Sequence, residues 1–449
     1  MSSQPTLTAA QYLDKIGWGK YQKLKFIQCG FAWTNSQLWV ILIGITLTNI
    51  GHEWNISNSA RGFIGTLFQI GMLFGSIIWG YLADKYGRMF SFKKSLIPVV
   101  IFSMFMILSS SPVMLAICGF IIGIGVAGEL VVSGVVFKEF CPPKNSGFVT
   151  ALSSFFGMGG AFIALISICV ELFNTSAIAN WRLIILFIFF YDLIMFILRI
   201  DMDDTPSYYF AKGNKEKFEE ILKKIALTNG KSENEVALID PILNENTNLK
   251  RKSNSYKMLF QKEHRRASLL LTVIYFTKMF GYANLLMFMP RFLSDYSTLT
   301  RYIAIFIQQL SGIPGTFLAA YLVNTKFGRI KTLAMCEFSA ALFVFLFLLS
   351  SNVVLVVLCT SLTSLVVLMG YGCLYTVTPE SYPTEIRNTA SGWLFSAMRI
   401  GGIISPTITG VLLDTPGGKE IALAIYSVSF LVDTTCVLFL KDTRTTNAN

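Results

Sequence analysis

Twelve apolar stretches, each long enough to cross a lipid bilayer as a helix, divide this chain of 449 residues. They fall at about 24–50, 62–83, 90–110, 113–138, 147–172, 181–200, 267–293, 301–324, 331–350, 352–377, 388–414 and 420–440. A spanning helix needs about 20 mostly apolar residues, because hydrocarbon offers the backbone no hydrogen-bonding partner. The stretches, numbered here as spans 1 to 12, group six and six around one long polar segment, 201–265. Charged residues make up 14% of the chain and mean hydropathy is +0.58, whereas soluble domains carry about 25% charged residues. That excludes an ordinary soluble enzyme, a disordered chain, a collagen-like fibre and a disulfide-stapled secreted domain. The chain reads as an all-α membrane protein.

The net charge of +11 does not indicate nucleic acid, because the basic residues cluster in short segments between spans. Lys85, Arg88, Lys93 and Lys94 follow span 2; Lys326, Arg329 and Lys331 follow span 8; Lys20, Lys23 and Lys25 precede span 1. By the positive-inside rule that side, both termini and the 201–265 segment are expected to be cytoplasmic. The first 20 or so residues are polar, so no cleavable leader is expected. Two sequons, at Asn55 and Asn174, then fall on the opposite face. The expected organisation is a cytoplasmic segment 1–23, a six-helix bundle 24–200, a cytoplasmic linker 201–265, a second bundle 266–441 and a tail 442–449. Within the linker, Phe218, Ile221, Leu222 and Ile225 form an apolar stripe on a helix predicted over 214–227. The linker as a whole reads as a solvated connector. Eight scattered cysteines (29, 118, 141, 169, 336, 359, 373 and 436) form no C-x-x-C pair and read as small core residues. No G-x-x-x-x-G-K-[S/T] phosphate loop is present, so ATP-driven transport is not supported, and no cofactor or metal is expected.

The two halves repeat. Lys85, Gly87 and Arg88 in GYLADKYGR (80–88) recur as Lys326, Gly328 and Arg329 in YLVNTKFGR (321–329). Glu139 and Pro142 in EFCPPKNSG (139–147) recur as Glu380 and Pro383 in ESYPTEIRN (380–388), all five at an offset of 241 residues. Two parallel repeats with substrate held between them near the midplane describe an alternating-access transporter.

GYLADKYGR resembles the signature between spans 2 and 3 of the major facilitator superfamily. TPESYPTEIRNTASG (378–392), with EFCPPKNSG, is similar to the branch containing synaptic vesicle glycoprotein-related proteins and organic cation and anion transporters. IGWGKYQ (16–22) and GFAW (30–33) fit the same branch, and the resemblance runs from about residue 12 to KDTR (441–444). It implies twelve transmembrane helices in two pseudo-symmetric six-helix bundles, the major facilitator fold. It also implies a gate made by Asp84, Gly87, Arg88 and Glu139 in one half and by Gly328, Arg329, Glu380 and Arg387 in the other. Asp84 would meet the positive end of a helix. Arg88 and Arg329 would hold carboxylates such as Glu139 and Glu380, latching the cytoplasmic ends while the outside is open. Gly71 and Gly75, four apart in span 2, would let helices approach closely. The chain departs from the pattern at Thr325, the counterpart of Asp84, and at Gly119, where many relatives carry arginine. It departs again at Asn35, Ser36 and Gln37, where proton-coupled relatives often place acids.

Ionisable groups within spans cost about 2.5–3.5 kcal/mol on insertion scales and usually face a cavity or a partner. Arg399 lies about twelve residues into span 11, and Gly392, Phe395, Ser396 and Gly402 share its face. In the resembling transporters this place tends to be acidic for organic cations and basic for organic anions. A basic residue here implies an anionic substrate group; the alternative is an internal pair with an acid. Lys278, midway along span 7, is flanked by Tyr275 and Tyr282 and pairs by repeat with Gln37. Glu129 in span 4 is the candidate coupling carboxylate, or else a static partner for Arg399 or Lys278. Asn35 and Gln37 in span 1 and Tyr371 and Tyr375 in span 10 are further candidate cavity residues. Asp192, Glu337 and Asp433 read as structural or near interfaces. QQLSG (308–312) resembles a sugar-transporter signature, but its place in span 8 rather than span 7 removes that meaning.

The sequence therefore points to a secondary active or facilitative transporter of a small organic ion. An organic anion is expected, with Arg399 and Lys278 taking the charge and Tyr275 and Tyr282 packing the apolar body. The alternatives are an organic cation or zwitterion carrier using Glu129, and a non-transporting membrane subunit of a larger assembly that keeps the fold. The partners expected are a small-molecule substrate and the lipid bilayer, with no nucleic acid.

Overall fold

The computed structural model describes residues 9–440 except 146–147, 149–150, 176–177, 201, 232–254, 324, 326–327 and 384–385, and no side chain at 10, 52, 84, 143, 211, 255–256, 320 and 387–388. Twelve helices among the described residues are long and apolar enough to cross a membrane. In chain order spans 1 to 6 are Lys20–Glu53, Asn58–Tyr86, Arg88–Lys94 continued by Leu96–Ile107, Pro112–Phe140, Ser154–Phe173 and Asn180–Arg199. Spans 7 to 12 are Arg265–Phe292, Thr298–Leu322, Gly328–Leu349, Val353–Glu380, Arg387–Leu413 and Gly418–Leu438.

Local chemistry sets where these helices start and break. Ser57, Ser111, Ser297 and Asn352 each accept a backbone N–H of the first turn they precede, which satisfies donors that have no intrahelical partner. Pro112 follows Ser111 in the first turn, where its missing N–H costs nothing. Span 3 breaks at Ser95, next to Pro98, which cannot donate to the carbonyl of Lys94.

Packing follows from small residues. A Cβ on Gly71 or Gly75 would fall on the carbonyl oxygen of Phe120 or Ile124, and one on Gly123 on that of Phe68. Spans 2 and 4 therefore touch backbone to backbone, the close approach that glycines permit. Outward, large apolar side chains such as Ile77, Val113, Phe187, Phe317 and Val354 stay exposed along the spans. In a bilayer these faces meet lipid tails and carry no hydration penalty.

Outside the spans the structure differs from the solvated connector expected. The helix Lys215–Thr228 buries Phe218, Ile221, Leu222 and Ile225. Their partners include Tyr12, Leu13 and Ile16 of the helix Ala9–Ile16, with the Tyr12 and Phe218 rings 5.8 Å apart edge to face. Asn229, just beyond, accepts the Tyr21 N–H at 3.0 Å and donates to Gln22 Oε1 at 2.9 Å. An apolar stripe of this width is stable only against another apolar surface, and the helix Ala9–Ile16 supplies it.

Candidate substrate site and gates

The bundles meet along spans 2 and 11, which run antiparallel and touch turn by turn. Asn58 donates its N–H to Asp414 at 2.9 Å and its side-chain amide to the Leu413 carbonyl at 3.0 Å. Next along, Gly62 and Gly410 bring the two backbones together. Thr66 Oγ1 then donates to the Ile403 carbonyl at 2.9 Å and lies 2.8 Å from Thr407 Oγ1. Gln69 lies beside Gly402, and Arg399 donates from Nη1 to Met72 Sδ at 3.7 Å. Further toward the Arg88 end, Gly80 on span 2 and Gly392 on span 11 have no atom within 4 Å of an added Cβ. Arg399 thus stands at the last close rung of the seam.

Its surroundings are largely apolar and aromatic. Arg399 is 8% exposed, and among the described residues no carboxylate lies within ion-pair distance of it. The phenols within electrostatic reach of it are those of Tyr375 and Tyr371. The Tyr375 ring lies 5.9 Å from Tyr371 and 6.1 Å from Phe395, and Tyr371 lies 6.1 Å from Tyr282. Tyr275 meets Phe395 edge to face at 5.8 Å and shares a 2.9 Å hydrogen bond with Thr378. Ser396, expected on the face of Arg399, lines instead an apolar groove with Thr272, Phe276 and Trp393.

Lys278, Glu129, Asp192 and Asp433 find partners within their own bundles. Lys278, expected to meet substrate, donates to Glu337 of span 9, and both side chains are 0% exposed. Its ammonium also sits 4.7 Å over the Tyr371 ring. Glu129, expected to carry a proton or to pair with Arg399 or Lys278, pairs with Arg199 at the end of span 6 and accepts from Asn35 at 2.5 Å. Asp192 accepts from Trp39 Nε1 at 3.2 Å, and Asp433 accepts from Thr277. Asp192, Glu337 and Asp433 are fully buried in the bundles rather than near interfaces. Gln37 is half-buried on span 1. The sequence reading missed Arg199 because it closes span 6, where a basic residue reads as an orientation signal.

At the opposite end of the seam from Asp414, the repeated motifs make matching contacts. Arg88 Nε lies 3.6 Å from Glu139 Oε1, and Arg329 Nη2 donates to Glu380 Oε1 at 3.0 Å. Each pair lies inside one bundle and ties the start of span 3 or span 9 to the end of span 4 or span 10. Gly87 has φ +110° and Gly328 φ +72°, values that favour glycine. The space beside Gly87 is taken by Asp204, which accepts the Met89 N–H at 3.2 Å at the start of span 3. Burial raises the Asp204 carboxyl above its ordinary range, with the bonds from Met89 and Thr205 opposing. Thr205 Oγ1 completes the cluster by donating to Glu139 at 2.6 Å. Neither Asp204 nor Thr205 stood out in the sequence. The side chains of Asp84 and Arg387 lie outside the described residues, and Thr325 bonds back to the Leu322 carbonyl. Among the described residues no group of His, Cys, Asp and Glu is placed to hold a metal ion, and the cysteines are free thiols.

Twelve apolar helices, joined as two bundles whose halves repeat, define a multi-pass integral membrane protein of transporter type. The sequence profile of the Major Facilitator Superfamily matches residues 29–446, and the chain belongs to that family. It is 24% identical over 436 residues to the niacin transporter NiaP of Acinetobacter baylyi, covering 96% of this chain and 97% of that one. It is 26% identical over 421 residues to the putative niacin/nicotinamide transporter NiaP of Bacillus subtilis, covering 93% and 95%. The synaptic vesicle 2-related protein of Rattus norvegicus is 24% identical, with 97% of this chain and 81% of that one covered. Among solved structures, the partially occluded inward-open xylose transporter XylE of E. coli superposes with a TM-score of 0.74 at 17% identity, covering 97% and 99%.

Proposed function

We propose that this membrane transporter carries a small organic anion, an aromatic monocarboxylate of the nicotinate class, by alternating access, with the Arg88 end of the bundles facing the cytoplasm. The observation that carries the reading is Arg399, a buried guanidinium at the seam between the bundles, near Tyr371 and Tyr375 and with no carboxylate in reach among the described residues. A charge kept in such a place is costly unless something pairs with it. An arriving carboxylate would supply the pair, and the phenol rings would stack on an aromatic body. The NiaP relatives, named for niacin, favour the same class. A cation carrier would need an acid free to meet its cargo, and Glu129 is already held by Arg199 and Asn35.

Proteoliposomes of the purified protein preloaded with unlabelled nicotinate test the reading. Labelled nicotinate should enter by exchange, and organic cations should not compete. Exchange of cations, with no exchange of any aromatic carboxylate, would overturn it.

A further inference from the structure

We propose that the second bundle binds one proton, shared between Glu337 and Asp433 over Lys278, and that this proton is linked through Tyr371 to the anion site at Arg399. The link, though not the proton site, rests on the reading of Arg399 given above.

Glu337 on span 9, Asp433 on span 12 and Lys278 on span 7 are all fully buried. Lys278 donates to Glu337 Oε1 and Thr277 Oγ1 to Asp433 Oδ1, while Asp433 acts electrostatically on Glu337 and Lys278. The remaining oxygens, Glu337 Oε2 and Asp433 Oδ2, are buried without a hydrogen-bond partner. The other titratable groups facing the cluster are Cys336 on span 9, Tyr371 and Cys373 on span 10, and Cys436 on span 12 itself. Span 11 presents Arg399 to Tyr375 and Tyr371 instead. Among the described residues, Lys278 is ion-paired with Glu337 alone, and Asp433, held by the neighbouring Thr277, has no cation within ion-pair distance, so two buried carboxylates stand against one ammonium.

An uncompensated buried charge is relieved by neutralisation. One proton from the aqueous phase converts one carboxylate to a carboxylic acid by forming a single O–H bond, and it belongs to the pair rather than to either residue. Asp433 lies 241 positions after Asp192, the same offset as the gate repeat. Asp192, Glu129 and Arg199 give the first bundle the same charge count. There, however, both oxygens of Glu129 are bonded, so the second bundle alone leaves both acids with an orphan oxygen. The path toward substrate is short: Lys278 sits 4.7 Å over the Tyr371 ring, Tyr371 lies 5.9 Å from Tyr375, and both tyrosines lie within electrostatic reach of Arg399. Filling the anion site changes the charge that this path transmits.

Infrared spectra of the whole protein in nanodiscs at neutral pH read the proton directly, through the C=O stretch of a protonated carboxyl group. The band should weaken in both Asp433→Asn and Glu337→Gln, because the remaining carboxylate of the second bundle then ionises against Lys278. It should persist in Asp192→Asn. An unchanged band in Asp433→Asn and Glu337→Gln would overturn the proposal. Should either variant fail to fold, Lys278→Gln should strengthen the band, since neither acid then has a cation; no change there would also overturn it. For the link, the ratio of pH-gradient-driven nicotinate accumulation to nicotinate exchange should fall in Asp433→Asn, and an unaltered ratio would refute it. If the wild-type protein moves no nicotinate, the anion reading fails while the infrared result still decides the proton site.

Discussion

Asp414, the residue just beyond the end of span 11, accepts the backbone N–H of Ser59 at 2.8 Å, so a carboxylate from one bundle caps the first turn of a helix in the other. The N–H of Asn58 and the Ser59 hydroxyl donate to the same carboxylate, and Arg291 Nε donates to Asn58 Oδ1 at 3.1 Å. Slight burial would raise the Asp414 carboxyl, but the hydrogen bonds from Ser59 and Asn58 outweigh it and hold the group below its ordinary range. A capping side chain and a negative charge at a helix N-terminus both stabilise. Here they stabilise the closed form of one end of the seam.

Removing that cap should open the end. Asp414→Ala should cost the closed form about 0.5–2 kcal/mol, a shift of roughly 2- to 30-fold in the closed-to-open ratio. Spin labels at the exposed positions Phe63 and Val411 should report longer distances in the variant at neutral pH. The sign with pH follows from the lowered carboxyl. The cap is fully present above the ordinary carboxylate value of about 3.9 and fades as pH falls through the lower value of the closed form. The wild-type distance should therefore lengthen only in strong acid.

The contact between spans 2 and 4 makes a steric prediction. Gly71→Ala and Gly75→Ala each place a methyl group on a backbone carbonyl of span 4, whereas Gly80→Ala meets open space. Overpacking costs about 1–3 kcal/mol and sometimes more. The first two variants should melt well below the wild type, and Gly80→Ala should melt with it.

The Glu129–Arg199 pair should behave as a unit. Removing one partner of a buried pair costs about 3–5 kcal/mol, because the other charge is left uncompensated. Glu129→Gln and Arg199→Met should each lower the melting temperature sharply, and the double variant should lose less than the two combined.

The gate pairs should be weak and independent. Arg88 and Glu139 are partly exposed, as are Arg329 and Glu380, and such pairs are worth about 0.2–1 kcal/mol. Arg88→Ala and Arg329→Ala lie in different bundles, so their effects on melting should add within about 0.3–0.5 kcal/mol.

What the sequence made legible is local and periodic. The spans stand out because hydrocarbon demands long apolar helices, and the gate motifs because they recur at one offset with Gly87 and Gly328 in turns that favour glycine. Arg399 stands out because a charge so far from a helix end is rare. Pairings between distant residues were not legible. Lys278 has Glu337 59 residues on, and Glu129 has Arg199 70 residues on; helix packing sets which faces meet, and no spacing rule records that. The linker helix misled for a related reason. Its apolar stripe was visible, but its partner lay in the polar-looking N-terminal segment, where Tyr12, Leu13 and Ile16 share one face.

The role of Arg399 is tested most directly by the melting temperature of the purified protein with nicotinate and with nicotinamide, which differ in the charged group. A ligand at 100 times its Kd stabilises by about 2.7 kcal/mol. Nicotinate should raise the melting temperature of the wild type, nicotinamide should raise it less, and Arg399→Ala should abolish the difference. Equal shifts from both compounds, or a nicotinate shift that survives in Arg399→Ala, would contradict the assignment of Arg399 as the anion site.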